Sequence, residues 1–196
     1  MRKKILSSFE NWLKKSGNYN NVKIEEIIYG VEAIYVLVTR TILFLIINIF
    51  LGTLKEFFLF LFFYSIIRSF SYGFHAKSSF VCIILSSFGF VLVPYLSKFV
   101  VFSLEFKIFF LIISLISFIL WSPADTENKP IVSKALRLKL KIASIIVLLL
   151  YSIIIIKFDS SLLLLILILQ SIFISPIMYY LFNTKYRNYL SYGLNN

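Results

Sequence analysis

RSFSYGFHAKSSFVC, residues 68–82, is a polar stretch between two long apolar runs, and it holds the only histidine and the only cysteine of the chain, His75 and Cys82. Hydrophobic residues make up 60% of the 196, and phenylalanine alone counts 22. A soluble domain of this size has too little polar surface for that content. A single cysteine excludes an intramolecular disulfide. The stretch therefore brings one imidazole and one thiol to the boundary of a membrane protein.

Six apolar runs, marked off by charges, Gly and Pro, lie at residues 33–52, 56–72, 79–97, 102–121, 142–157 and 161–182. A full span of the hydrocarbon core needs about 20 residues, with about 17 as the lower limit. The second and fifth runs are marginal by this measure, whereas the other four are long enough. The layout predicts an all-α integral membrane protein with about six transmembrane helices in one bundle, residues 33–182. Four spans with two re-entrant pieces is the alternative.

The basic residues are unevenly distributed along the chain, whose net charge is +11. With the N-terminus in the cytoplasm, fifteen of the twenty Lys and Arg lie on the inner side and four on the outer side. Arg40 lies within the first run. This positive-inside pattern predicts a multi-pass cell-membrane protein with both termini and the His75 segment at the cytoplasmic face. Topology and contact with anionic lipid explain the basic excess, so nucleic-acid binding is not expected.

A small basic unit, residues 1–17, precedes the apolar runs. Its basic side chains lie mostly off an apolar stripe. The apolar side chains of this stripe follow helical spacing: Ile5, Leu6, Phe9, Trp12 and Leu13. This pattern predicts an interfacial amphipathic helix on an anionic leaflet, which Gly17 would end. A solvated basic leader is the alternative, and residues 7–26 are too polar for a cleaved signal peptide.

The spacing of His75 and Cys82 limits how they can interact. On an uninterrupted helix, positions seven apart are separated by about 10 Å of rise, too far for an imidazole to take a proton from a thiol. Gly73 permits a sharp turn, and the serine pair 78–79 is a good N-cap, so a helix beginning there would leave His75 on a loop that can fold back. Cys82 would then lie in the first turn, where the helix dipole favours a thiolate. The alternatives are a small hydrophobic or palmitoylated cysteine and an interfacial histidine.

The pattern RxxxxGFHAKSxxxC at residues 68–82 resembles the accessory gene regulator B family, AgrB, the membrane cysteine peptidases of Gram-positive peptide quorum sensing. The segment PADTENKP, residues 123–130, looks like the polar loop of that family. Length, hydrophobic layout and the basic N-terminus also agree, so the resemblance covers essentially the whole chain. One departure is Tyr72, at a position where the family often has a first glycine.

The resemblance implies an enzyme that cleaves an AgrD-type propeptide. Cys82 matches the nucleophile, which attacks the peptide bond before an acidic C-terminal tail, and His75 matches the base. A Cys or Ser side chain of the peptide then attacks the acyl-thioester and closes a thiolactone or lactone ring. The resemblance also implies a homodimer, and neither a cofactor nor a metal is expected.

Further polar residues near this motif are candidates for supporting roles. Asp125, Glu127 and Asn128 are candidates to orient His75. For the basic residues among the candidates to bind the propeptide, plain positive-inside topology is the alternative. The six candidates are Arg68, Lys77, Asp125, Lys129, Lys134 and Arg137. The competing function is that of a non-catalytic polytopic membrane protein, a transporter or a lipid-binding assembly factor. A transporter would favour acidic residues deep in the apolar runs, which these runs lack.

Overall fold

The structure, a computed structural model, describes residues 2–17, 19–76, 78–126 and 130–192, and its regular elements there are helical. They form two compact units, Met1–Ile47 and Asn48–Asn196. A π-helical segment, Phe88–Leu92, joins α4 to α5, and a 3-10 turn lies at Asn188–Tyr192. The helices are α1 Arg2–Ser16, α2 Asn21–Phe50, α3 Leu54–Ser71, α4 Ser79–Ser87, α5 Val93–Phe99, α6 Leu104–Trp121, α7 Lys134–Phe158, α8 Ser161–Ile174 and α9 Pro176–Leu181.

The unit Met1–Ile47 contains α1 and most of α2. α1 ends before Gly17, whose φ of +66° is the left-handed conformation typical of a residue after a helix C-terminus. A helix that ends there agrees with the spacing in the sequence, whereas its position on a leaflet stays a prediction. Of the apolar stripe, Leu13 is buried while Trp12 is 62% exposed. α2 begins at Asn21, well before the apolar run at 33, because Lys and Glu in its first turns are good helix formers.

α8 is the central helix of the unit Asn48–Asn196. Its sequence, SLLLLILILQSIFI, is apolar all round, and ten of its fourteen residues are buried. α3, α5, α6 and α7 all contact it. Fourteen residues span about 21 Å, less than the roughly 30 Å of a hydrocarbon core. Surrounding helices therefore cover this short segment, as expected for a helix without a polar face.

Four helices among the described residues are long and apolar enough to cross a membrane: Asn21–Phe50, Phe80–Phe99, Leu104–Trp121 and Lys134–Phe158. They confirm an all-helical membrane protein, while six full spans stay a prediction. α3 carries Lys55, Glu56 and Arg68 within 18 residues, and α8 is too short.

Two apolar runs differ in length from the sequence-based expectation. The fifth run, expected to be marginal, belongs to the 25-residue helix α7, because the basic segment from Lys134 continues the same helix. The sixth run, expected to be long enough, is broken at Ser175, which separates α8 from α9. The break follows from Pro176, which has no N–H to donate and disfavours helical geometry in the residue before it.

The π-helical segment has a local cause in Pro94. Proline cannot donate to the carbonyl four residues earlier, which is that of Phe90. The Asn48 side chain donates to this carbonyl instead (2.8 Å), and the Thr53 hydroxyl donates to the Asn48 side-chain oxygen (2.7 Å). Asn48 and Thr53 are fully buried, so this network replaces a backbone hydrogen bond without contact with solvent.

Asn48→Leu is expected to lower the free energy of unfolding by about 1–3 kcal/mol, because it removes the Asn48 partner of the buried Thr53 hydroxyl and of the partly buried Phe90 carbonyl. Thermal unfolding of the purified protein in detergent measures the change. Thr39→Val is the control, because the Thr39 hydroxyl bonds only carbonyls of its own helix (2.7 and 3.2 Å) and lies exposed. An unchanged Asn48→Leu midpoint would show that the network contributes no stability.

The connections between helices gather at two ends of the unit Asn48–Asn196. At one end, Tyr72 and Ala124 form a parallel β-bridge, and the Phe74 N–H donates to the Phe173 carbonyl (2.8 Å). At the other end, Lys98 donates to the Gly52 carbonyl (2.7 Å), and Lys107 pairs with Asp159. The His75 segment, the loop at 122–126 and the chain after α8 therefore meet at one end, and the side of the membrane they face stays a prediction.

Candidate active site

The loop that carries His75 leaves α3 through two residues of positive φ. Tyr72 has φ 55° and ψ −133°, and Gly73 has φ 128°. A Cβ atom at Gly73 would lie 3.2 Å from the Phe173 carbonyl oxygen. Gly73 is therefore required both by its φ and by the close approach of α8, whereas Tyr72 adopts an unfavourable φ that only a well-fixed loop maintains.

Main-chain hydrogen bonds tie this loop to two distant segments. The Gly73 N–H donates to the Ala124 carbonyl (2.9 Å), and the Ala124 N–H donates to the Ser71 carbonyl (3.0 Å). The Phe74 N–H donates to the Phe173 carbonyl at the end of α8. The loop is thus held by the 122–126 loop on one side and by α8 on the other.

Two side chains complete the attachment of the loop. Arg68 donates to the Phe74 carbonyl and to the Tyr64 hydroxyl, both at 2.9 Å. Gln170 donates to the Tyr72 carbonyl and to the Ser71 hydroxyl, both at 2.6 Å. The carbonyls of residues 72 and 74 are therefore each held by a side chain just before His75.

His75 itself is exposed, and its Nδ1 lies 3.1 Å from the Ala76 carbonyl oxygen. A carbonyl oxygen can only accept a hydrogen bond, so Nδ1 carries the proton in the neutral ring. Nε2 then has the lone pair that can take a proton. An imidazole in this tautomer can accept a proton at Nε2, which is what a general base requires.

Cys82 lies in the first turn of α4, as the sequence predicts. α4 begins at Ser79 after Ser78 in extended conformation, and the Cys82 N–H donates to the Ser78 carbonyl (3.0 Å). The side-chain cap expected from the sequence is absent at Ser78, whose hydroxyl makes no capping hydrogen bond. The thiol is partly buried, and the helix N-terminus favours negative charge at this position.

Asp125 fastens the chain after α9 to the same end of the unit. Its two carboxylate oxygens accept from the N–H groups of Asn188 (3.0 Å) and Tyr189 (2.8 Å), and the Tyr179 hydroxyl donates to its carbonyl (2.9 Å). Burial raises the pKa of the Asp125 carboxyl, and the N–H donors only partly offset that effect. The Asp125 carboxylate thus holds residues 188–189. None of these hydrogen bonds involves His75, so the orientation of His75 by Asp125 stays a prediction.

Comparison with known proteins decides the family. The profile of accessory gene regulator B matches residues 6–183. The chain belongs to the accessory gene regulator B family. It is thereby one of the AgrB proteins of quorum sensing.

Relatives agree over most of the length. The chain is 30% identical to an AgrB-like protein of Clostridium acetobutylicum over 185 residues, which cover 92% of this chain and 88% of the relative. It is 30% identical to accessory gene regulator protein B of Staphylococcus aureus, over 89% of this chain and 94% of the relative. The protein of the same name from Staphylococcus intermedius is 33% identical over 70% of this chain and 73% of its own length. No solved structure matches.

Arg68, Lys134 and four further candidate residues from the sequence differ in what the structure describes of them. Arg68 holds the His75 loop and lies over the Phe173 ring (5.6 Å from its centroid), so its guanidinium is committed within the protein. Lys134 is the exposed first residue of α7. Lys77, Glu127, Asn128 and Lys129 lie outside the described residues.

Arg137 belongs to a basic cleft beside the 122–126 loop. The cleft is a cavity of about 300 Å³ whose lining includes three cationic residues, Arg137, Lys141 and Arg187, and one acidic residue, Asp125. Arg137 lies 3.7 Å from the Tyr189 ring centroid and donates to the Ile131 carbonyl (3.3 Å). We call this cavity the Arg137 cleft.

Sequence reasoning missed several residues of this AgrB site. Gln170 had a visible signal, because it is the single amide in the apolar sequence of α8. Lys141 and Arg187 had only the general signal of positive charge. The docking of residues 188–189 on Asp125 had no local signal, since it joins segments more than 60 residues apart.

Proposed function

We propose that this AgrB chain is a membrane cysteine endopeptidase that cleaves an AgrD-type propeptide and forms a cyclic autoinducing peptide. The observation that carries the proposal is the arrangement at the start of α4. The only thiol of the chain lies in the first turn, and the only imidazole lies on the fixed loop before it, with Nε2 able to accept a proton. Family membership supports the same function, with the site at the cytoplasmic face and the chain acting as a homodimer.

In the first step, the Cys82 thiol gives its proton to His75 Nε2, and the sulfur attacks the carbonyl carbon before the acidic tail of the propeptide. The carbon–nitrogen bond breaks, and His75 returns the proton to the leaving amine. The products are an acyl-thioester on Cys82 and the free tail.

In the second step, a Cys or Ser side chain within the bound peptide attacks the thioester carbon. The new bond closes the thiolactone or lactone ring as the bond between the acyl carbon and the Cys82 sulfur breaks. The proton of the attacking group returns to that sulfur through His75. Exchange between two thioesters is nearly balanced in energy, so the reaction needs exclusion of water rather than a strong driving force.

Co-expression with candidate propeptides, followed by mass spectrometry, tests the function. The expected product is a peptide one water lighter than the linear fragment, because ring closure replaces hydrolysis. Appearance of only the linear fragment would contradict the cyclase step, and uncut propeptide from every candidate would contradict the peptidase.

We further propose that the Arg137 cleft binds the acidic tail of the propeptide. The three cationic residues around this cavity outnumber its one acidic residue, Asp125, so the cavity attracts carboxylates, and the attraction extends over roughly 8 Å at physiological salt. The tail leaves after cleavage and does not enter the ring, so its contacts serve recognition.

Lys141→Glu is therefore expected to raise KM for the propeptide about tenfold and to change kcat by less than about twofold, since the acidic side chains of the tail take no part in the bond changes at the reacting carbonyl. Lys141 is preferred over Arg137, which also contacts Tyr189 and Ile131. Initial rates at two salt concentrations measure both constants.

Lys55→Glu is the control, because it makes the same charge change at the opposite end of the unit. Neutral residues in the tail should imitate Lys141→Glu, and the combined change should be less than additive. If KM responds neither to salt nor to these changes, the basic residues serve only to orient the protein in the membrane and do not bind the tail.

A further inference from the structure

We infer that Gln170 is a positioning residue for the reaction, acting through the loop that presents His75. The inference rests on the proposed function of His75 as the base. Gln170 lies 98 residues from Tyr72 in sequence, yet its amide is bonded to the carbonyl of that residue. It touches neither reacting group in any described hydrogen bond, so its effect has to pass through the loop.

The hydrogen bonds show how the amide fixes the loop. Both hydrogens of the Gln170 amide are used, one on the Ser71 hydroxyl and one on the Tyr72 carbonyl, each at 2.6 Å. These acceptors flank the point where the chain leaves α3 and turns through the positive φ of Tyr72 and Gly73. The amide therefore stabilises the unfavourable turn from which His75 extends.

The burial of Gln170 argues against a role in packing alone. The residue is fully buried in a helix whose other polar residues are two serines, and its side-chain oxygen is buried with no hydrogen-bond partner. An apolar side chain of the same length would avoid that unpaired oxygen. The two hydrogen bonds that Gln170 donates to the loop are therefore what an apolar side chain at this position could not supply.

The close contact of α8 with the loop makes the effect specific. The Gly73 Cα lies so near α8 that an added Cβ would be 3.4 Å from the Gln170 amide nitrogen. Without the amide, the Tyr72 carbonyl loses its donor and the turn can relax toward a more favourable φ. A shift of about 1 Å in a catalytic group can lower the rate about a hundredfold.

Gln170→Met tests the inference in the purified full-length protein with a propeptide substrate. The expected result is a fall in kcat of about ten- to a hundredfold with KM changed by less than about twofold, because the loop positions the base and not the substrate tail. Ser171→Ala is the matched control, since the Ser171 hydroxyl is buried on the same helix but bonds only the Leu167 carbonyl (2.7 Å).

A second readout separates positioning from loss of folded protein. Cys82 is the only thiol, so the rate of its alkylation by iodoacetamide reports one site. The dependence of this rate on pH is expected to change in Gln170→Met in the same direction as in His75→Gln. A merely structural role would reduce the folded fraction and leave the pH profile of the remaining protein unchanged, which would overturn the inference.

The double variant His75→Gln/Gln170→Met provides the decisive comparison. If Gln170 acts through His75, the double variant is no slower than His75→Gln alone. A further fall of tenfold or more would show that Gln170 acts elsewhere and would overturn the inference. Normal rates in Gln170→Met beside a slow His75→Gln would overturn it too, and would leave the proposed function standing. Normal rates in His75→Gln itself would instead contradict the proposed function.

Gln170→Glu serves if the methionine variant fails to fold. A carboxylic acid of the same length donates one hydrogen bond when protonated and none when ionised. Its activity relative to the unaltered protein is therefore expected to rise as the pH falls. A constant ratio across the pH range would overturn the inference.

Discussion

Cys82→Ala is expected to lower propeptide cleavage by at least about a thousandfold, because it removes the nucleophile of both steps while leaving the helix intact. The thiol is only partly buried and alanine is slightly smaller, so expression and membrane insertion should not change. Cleavage by purified protein, followed by gel or mass spectrometry, measures the effect. The unaltered protein should also yield a hydroxylamine-sensitive adduct of the propeptide, and the variant should not.

Ser87→Ala is the control for Cys82→Ala, because it removes one small polar atom from the same helix. The Ser87 hydroxyl bonds only the Ile83 carbonyl (2.9 Å), so normal cleavage is expected. Full processing by purified Cys82→Ala would contradict the peptidase proposal. It would favour the alternative function of a non-catalytic polytopic membrane protein.

His75→Gln should reduce kcat by at least about a hundredfold, the usual size of the effect of losing a general base. Glutamine occupies a similar length and still forms hydrogen bonds, but it cannot take a proton from the thiol. The remaining rate should increase with pH, since thiolate formed by hydroxide no longer depends on the imidazole. Single-turnover rates across pH measure both effects.

Ser78→Ala accompanies His75→Gln as a neighbouring change. The Ser78 side chain is exposed and forms no cap, so nearly unaltered kinetics are expected. Equal losses in both variants would indicate general disturbance of the segment, and an unchanged rate in His75→Gln would remove the histidine from the mechanism.

The parts of the fold that local chemistry determines were predictable from sequence. The left-handed Gly17 ends α1, because glycine is strongly favoured just after a helix C-terminus. α4 begins directly after Ser78, as the sequence predicts, although the Ser78 hydroxyl forms no cap. The spacing of His75 and Cys82 and the residues around them indicated the family that the profile match confirms.

The parts that depend on distant contacts were not predictable. The basic residues from Lys134 onward indicated the start of a helix there, but not that this helix continues without a break through the apolar run 142–157. The attachment of Tyr72 to Gln170 and of Asp125 to residues 188–189 depends on tertiary packing. Local propensity carries no information about such partners. The sequence therefore indicated His75 and Cys82 as candidates, but not the residues that hold the loop of His75.

The attachment of the His75 loop to α8 has a consequence for biosynthesis. During synthesis, both reactive side chains leave the ribosome long before Gln170, which is 99 residues after Ser71. A nascent chain that has inserted α3 and α4 already carries the thiol and the imidazole, but the donor to the Tyr72 carbonyl and the acceptor for the Phe74 N–H are still missing. The turn before His75 lacks these two contacts until α8 packs against it, and until then only Arg68 and Ala124 can hold it. Under the proposed function, proteolytic competence arrives late in translation, when the helices that surround α8 are already present.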